Sequence, residues 1–347
     1  MNIKLNKKII ISKDKEPIIV AEISGNHCGK KSLFLKHIES AAKHGADMIK
    51  IQTYEPEDIT PKEKDFNHVI KSGIWKSRSL WSLFREACTP YDWHADAFAL
   101  AKKLKTVIFS TPFSVRAVDF LEKFKVPIYK IASFEITDLK LIDYIAKKRK
   151  PIIISTGTAN QKEIATAVKT IKKYHSKIII LHCVSGYPTP ESQANVNTIL
   201  KLKNLYKGNL VGLSDHTNDI NSSLASVSLG ASLIEKHFKI SDNLKSVDSD
   251  FSINPRQLLK LKNMSRSIFM SLGKISLKKK LDPNILKLRR SIFATRDIKK
   301  GTKINEKNIT TLRPSVGIKS EDYFKILGKR VNKDIKKGHP IFQKQIK

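Results

Sequence analysis

The feature that most constrains this chain is a repeated alternation. Between residue 17 and about residue 273, eight short runs rich in Ile and Val alternate with amphipathic helical stretches. The runs are PIIVAEIS (17–24), DMIKIQTY (47–54), TVIFSTPF (106–113), IYKIASFE (128–135), PIIISTG (151–157), KIIILHCVS (177–185), LVGLSDHT (210–217) and SLIEKHF (232–238). β-Branched residues suit extended backbone, and runs apolar at nearly every position suit strands covered on both faces. Strand and helix in alternation build a parallel sheet. No GxGxxG or GxxxxGK[ST] follows any run, which argues against a doubly wound nucleotide-binding sheet. The predicted fold is α/β: a closed eight-stranded (β/α)8 TIM barrel.

Two stretches do not fit the repeat. Residues 55–105 are too long for one connection and contain two helical patterns, LWSLFREAC and WHADAFALAKKL, so they read as an inserted loop and helix over the barrel mouth. After about residue 275 come a basic linker, KKKLDPNILKLRR, and short β-type pieces with turn signals. The expected division is a barrel over 1–275, a linker over 276–289 and a small domain over 290–347. That domain carries an internal echo, Asp297 to Gly301 and Asp334 to Gly338, both reading Asp-Ile-Lys-Lys-Gly.

Composition excludes several classes. No apolar run approaches the roughly 20 residues of a membrane span, and the lysine-broken start lacks the pattern of a signal peptide. Three cysteines, Cys28, Cys88 and Cys183, have neither metal-ligand nor CxxC spacing. They read as packing residues in a protein of the reducing cytoplasm. The formal charge of +33 is lysine-dominated and densest in the tail, with 21 Lys/Arg against 6 Asp/Glu from Ser276 onward. Without an arginine-rich arm or a basic heptad stretch, it reads as solvated surface rather than a nucleic-acid interface.

A barrel carries its chemistry at the C-terminal ends of its strands, and here all eight ends are polar. They bear Glu22; Lys50 and Gln52; Ser110 and Thr111; Lys130, Ser133 and Glu135; Ser155; Cys183, Ser185 and Tyr187; Asp215 and His216; and Glu235, Lys236 and His237. His216 and His237 end adjacent predicted strands, about 4.8 Å apart, so their imidazoles are candidate ligands of one catalytic divalent cation. His27 is a further candidate, as a third ligand or a substrate contact. Lys50 and Lys130 lie inside apolar runs, where a buried ammonium needs an anion. A phosphate or carboxylate caged with Ser133, Ser155 and Ser185 supplies one; a Schiff-base lysine or an internal pair with Glu22 or Glu135 are the alternatives.

At these positions the sequence resembles the sialic acid synthase family, which condenses phosphoenolpyruvate with an amino sugar. The resemblance rests on AEISGNH (21–27), IKIQTY (49–54), FSTPF (109–113), YKIASFE (129–135), IISTG (153–157), CVSGYPTP (183–190), GLSDHT (212–217), IEKHF (234–238) and DSDFSINP (248–255). LRPSVGI (312–318) is similar to the family's SAF (antifreeze-like, β-clip) domain. KIASFE, DSDFSINP and EACTPYDWH (86–94) resemble the pseudaminic acid branch rather than synthases acting on N-acetylmannosamine. The resemblance implies Mn²⁺ or Mg²⁺ on His216 and His237. It also implies phosphoenolpyruvate contacts from Lys50, Thr111, Lys130, Ser133, Ser155 and Ser185, and sugar contacts from Glu22, Gln52, Glu135, Tyr187, Asp248 and Arg313. Glu22, Lys50, Lys130, His216 and His237 would carry catalysis. A homodimer is implied as well, in which the SAF domain of one subunit closes the barrel of the other through Arg313. Cys28, Ser185 and Gly186 depart from the usual family residues at their positions.

Overall fold

A computed structural model describes residues 1–63, 68–274, 276–277 and 281–347. The chain forms two compact units, Met1–Gly273 and Lys274–Lys347. In the first, β3 (Ile18–Glu22), β4 (Met48–Thr53), β5 (Val107–Pro112), β6 (Tyr129–Ile131), β7 (Ile152–Ser155), β8 (Ile178–Cys183), β9 (Leu210–Asp215) and β10 (Leu233–His237) are parallel. β10 pairs with β3 and closes the barrel. All eight predicted strands are present.

The polar strand ends come together through strand periodicity. Alternate residues of one strand share a face. On the inner face Ile18, Val20, Met48, Val107, Phe109, Ile153, Ile179, Leu181, Leu210 and Leu233 fill the lower barrel. The intervening residues, including Ile19, Ile49, Ile108, Ile154, Ile180 and Ile234, pack outward in the larger core shared with the helices. Continuing the inner series upward by twos gives Glu22, Lys50 and Gln52, Thr111, Lys130, Ser155, Cys183, Ser214 and His216, and Glu235 and His237.

A short hairpin that the sequence reading did not predict, β1 (Asn2–Lys4) with β2 (Ile10–Ser12), buries Ile3 and Ile11 in the same inner cluster as Ile18 and Met48. It stoppers the N-terminal end of the barrel, so the open end is the one that carries the polar groups.

The first unit's α-helices are α1 (Lys31–Lys43), α2 (Leu80–Ala87), α3 (His94–Lys103), α4 (Val115–Glu122), α5 (Leu139–Lys147), α6 (Gln161–Lys172), α7 (Thr198–Leu205), α8 (Asn221–Ser228) and α9 (Pro255–Leu272), and all but α2 form the outer ring. Several start on side-chain caps that satisfy their first N–H groups, among them Ser114, Asp138, Asn160 and Asn254. Helix α3 is the regular barrel helix; α2 is the insertion, with Leu83 and Ala87 buried against Val247. Part of the expected loop, residues 64–67, lies outside the described residues.

In the second unit β11 (Ser291–Ala294) and β12 (Ile309–Leu312) are antiparallel. They enclose a core that includes Ile292, Ile298, Ile304, Val331, Ile335 and Ile341. The sequence echo has a structural counterpart. Ile298 and Ile335 exchange both backbone hydrogen bonds, at 2.8 and 2.9 Å. Asp297 accepts from the Lys337 N–H while Asp334 accepts from the Lys300 N–H, each at 2.8 Å. Gly301 and Gly338 take φ values of 86° and 74°, which a side chain would strain. Of the expected linker, residues 278–280 lie outside the described residues.

Candidate active site

The two inward lysines are almost fully buried, at 4% exposure for Lys50 and 2% for Lys130. Both have carboxylate partners: Lys50 meets the expected Glu22, and Lys130 meets Glu235 rather than Glu22 or Glu135. Lys50 Nζ lies 2.5 Å from Glu22 Oε2 and 3.5 Å from Glu235 Oε1, and donates to Thr111 Oγ1 at 3.1 Å. Lys130 Nζ donates to both oxygens of Glu235, at 2.8 and 2.9 Å. Glu235, which the sequence reading noted without a role, is the hub of the cluster. Burial alone would raise its pKa, but Lys130 and Lys50 outweigh it and hold the carboxyl down at about 2. Glu135 pairs with neither lysine. Its Oε2 is buried without a partner, and burial pushes its pKa up to about 7.

Beside the lysines is a small concavity lined by hydroxyls. Ser133 Oγ accepts from the Gly157 N–H at 3.1 Å and donates to Cys183 Sγ at 3.3 Å. Ser155 Oγ and Ser185 Oγ are buried and have no hydrogen-bond partner. A Cβ on Gly157 would fill the space, standing 2.3 Å from Ser185 Oγ and 2.9 Å from both Cys183 Sγ and Ser133 Oγ. Buried hydroxyls without partners are costly; Ser133 and Ser155 line one cavity with Lys50 and Lys130, and Ser185 Oγ shares with Ser133 Oγ the space before Gly157, which makes this cluster a candidate anion cradle. Cys183, expected to be a packing residue, is part of it.

His216 and His237 converge, with ring centroids 5.4 Å apart. His216 Nδ1 donates to the Val184 carbonyl at 2.9 Å, the orientation in which metal-binding histidines are commonly held, with Nε2 bearing the lone pair when the ring is neutral; burial alone would lower its pKa, but Cys183 and the Val184 carbonyl outweigh it and raise it. His237 is kept neutral by burial and by the positive groups around it. Its Nδ1 is buried without a hydrogen-bond partner, 4.0 Å from Asp248 Oδ2. A neutral ring nitrogen without a partner, as at His237, suits a divalent cation. Among the described residues no group of three or more His, Cys, Asp or Glu is arranged to hold one, so the histidine pair would leave coordination positions open. His27 takes no part: it is fully buried, edge-on to Phe34 and Trp93, with Nε2 3.2 Å from the Ala87 carbonyl.

Above these groups lies a cavity of about 560 Å³. Lys50, Gln52, Lys130, Ser133, Glu135, Ser155, Tyr187, His216, His237 and Asp248 all line it. Glu22 and Thr111 are fully buried against Lys50. Gln52 donates to Glu22 and Ser24, and Asp248 accepts from the Gly25 N–H. The Tyr187 ring lies 4.4 Å from His216, and burial drives its phenol well above the usual range. Arg313 is exposed in the second unit, directly after β12. The sequence reading missed Ser214, Trp75 and Phe251, which also line the cavity. Strand parity would have found Ser214; nothing local marks the two aromatics. Conversely, Asp215 and Lys236, named among the strand ends, have the opposite parity and pair with each other at 3.1 Å, buried outside the inner face.

A closed barrel with a carboxylate-balanced lysine pair, a group of hydroxyls and a histidine pair at its strand ends has the architecture of a TIM-barrel enzyme. The NeuB family pattern matches residues 37–276 and the SAF domain pattern residues 289–347, and the chain belongs to the NeuB family with a C-terminal SAF domain. It is 39% identical to a pseudaminic acid synthase of Campylobacter jejuni over 95% of this chain and 96% of that one. A pseudaminic acid synthase of Helicobacter pylori is 38% identical over 94% and 96%. The crystal structure of an N-acetylneuraminic acid (sialic acid) synthetase from Leptospira borgpetersenii, in complex with citrate, superimposes with a TM-score of 0.73. It is 32% identical and covers 81% of this chain and 93% of that one.

Proposed function

We propose that this transferase is a pseudaminic acid synthase, condensing phosphoenolpyruvate with 2,4-diacetamido-2,4,6-trideoxy-L-altrose to give pseudaminic acid and phosphate. The observation that carries the reading is the candidate anion site: two buried lysines on one cavity with Ser133 and the partnerless hydroxyl of Ser155. The identity of the acceptor rests on the pseudaminic acid synthases among the relatives.

In this reading Lys50, Lys130, Thr111, Ser133, Ser155 and Ser185 hold the phosphate and carboxylate, fixing C3 of the enol against the open-chain aldehyde. C3 bonds to the aldehyde carbon and the aldehyde oxygen takes up a proton. Water adds at C2, and the C2–O bond breaks to release phosphate. A divalent cation on His216 and His237, Mn²⁺ or Mg²⁺, supplies polarisation of the aldehyde when bound. Glu135, with a pKa near neutrality and on the cavity lining, would give or take the protons of these steps. Gln52, Glu22, Tyr187 and Asp248 hold the sugar. Arg313 of a second subunit completes the site in a homodimer whose SAF domain closes the neighbouring barrel. No helix among the described residues is long and apolar enough to cross a membrane, and the reading places the enzyme in the cytoplasm.

Phosphate release from phosphoenolpyruvate, Mn²⁺ and a panel of N-acetylated sugars tests the assignment. Turnover of the diacetamido altrose supports it; silence with that sugar and turnover of N-acetylmannosamine would assign the chain to another branch.

A further inference from the structure

The cavity has two chemically distinct sides. The barrel strands and the loops that follow them supply most of its charged and hydrogen-bonding groups. The insertion between β4 and α3 supplies Ile59, Ile70, Trp75, Leu80, Leu83 and Phe84, with Thr60 and the almost fully buried Tyr54 as the hydroxyl-bearing residues of that segment on the described lining. Trp75 is fixed within this wall. Its loop is closed by backbone bonds between Ile70 and Arg78 at 2.9 Å and between Ser77 and Ile70 at 2.8 Å. Its indole Nε1 donates to the Val247 carbonyl at 3.0 Å, next to Asp248. Its ring packs 5.5 Å from Tyr187 and 6.0 Å from Phe251, and both of those rings also contact His216.

With its only polar atom turned to Val247, Trp75 offers an acceptor nothing but an apolar face. A sugar hydroxyl pressed against this wall would lose water without gaining a partner, whereas a methyl group would gain by leaving water. We infer that Trp75 is a specificity-determining residue: with the wall around it, it selects acceptors whose terminal carbon is a methyl rather than a hydroxymethyl group. The strand side, through Gln52, Glu135 and Asp248, is left to read the polar groups. This deepens the functional reading above and rests on the acceptor occupying this cavity.

The test uses two sugars that differ only at C6, the 2,4-diacetamido-2,4,6-trideoxy-L-altrose and its 6-hydroxy counterpart, with binding measured by calorimetry and turnover by phosphate release. The full-length wild-type protein should prefer the methyl sugar by roughly 10- to 100-fold, the range over which apolar pockets discriminate. Trp75→Ala should shrink that ratio about tenfold, while Trp75→Phe, which keeps an apolar ring, should retain most of it. Leu80→Asn places an amide on the same wall without disturbing the indole. It should also shrink the ratio, which provides a second measurement if the alanine variant does not fold. A wild-type ratio near one, or a ratio unmoved in the folded Trp75→Ala and Leu80→Asn variants, overturns the inference. Preferential binding of the methyl sugar that is lost in the variants, without turnover of either sugar, would uphold the wall and refute the synthase assignment instead.

Discussion

Replacing Gly157 with alanine tests the anion cradle with a single methyl group. Gly157 does not adopt the positive φ that would strain an alanine, so the backbone accepts the change and the effect falls on the space in front. The new Cβ would lie 2.3 Å from Ser185 Oγ and 2.9 Å from Ser133 Oγ and Cys183 Sγ, where ordinary contact begins at 3.4 Å. Something must yield by about 1 Å, a displacement that costs on the order of 100-fold in a positioned reaction. That is about 2.7 kcal/mol of transition-state stabilisation at 1.36 kcal/mol per decade. Overpacking would also cost about 1–3 kcal/mol of stability, leaving a folded protein. Initial rates of phosphate release across a phosphoenolpyruvate series should show kcat/KM for phosphoenolpyruvate down about 100-fold, with the acceptor's KM little changed. A folded Gly157→Ala enzyme that keeps wild-type kcat/KM for phosphoenolpyruvate would refute the cradle.

Three further outcomes are expected. Glu235→Gln removes the shared partner of Lys130 and Lys50; breaking a buried pair costs about 3–5 kcal/mol, so denaturant midpoints should fall, and phosphoenolpyruvate should raise the variant's Tm more than the wild type's. His216→Ala and His237→Ala should each abolish turnover and Mn²⁺ binding by calorimetry while the protein stays folded; full metal-dependent activity in the double variant would contradict the assignment. Glu135, raised from 4.5 to about 7 in the folded state by burial, favours the native protein most below its unfolded pKa and loses that contribution as pH climbs through about 7. Relative to Glu135→Gln, wild-type stability should therefore decline between pH 4.5 and 7 and level off above, as chemical denaturation at pH 5 and pH 8 would show.

The sequence by itself determined the barrel, because strands covered on both faces leave an unmistakable apolar run at each of eight places. It marked much of the candidate site as well, because an ammonium inside such a run, as at Lys50 and Lys130, demands an anion from the chain or from a ligand, and every strand end is polar. The tertiary structure alone decided how those residues are matched. Glu22, Lys50, Lys130 and Glu235 come from four strands, and only ring closure, with β10 beside β3, sets the distances that make Glu235 the hub. Parity was written in the chain, yet only the packed barrel shows that Lys236 turns to Asp215 outside while its neighbours Glu235 and His237 turn inward. The apolar wall was not legible, since Trp75 and Phe251 carry no local signal and acquire a role only where loops distant in sequence meet over the mouth. The N-terminal hairpin escaped for a similar reason: three-residue strands flanked by lysines become recognisable only when Ile3 and Ile11 find the open end of a barrel to fill.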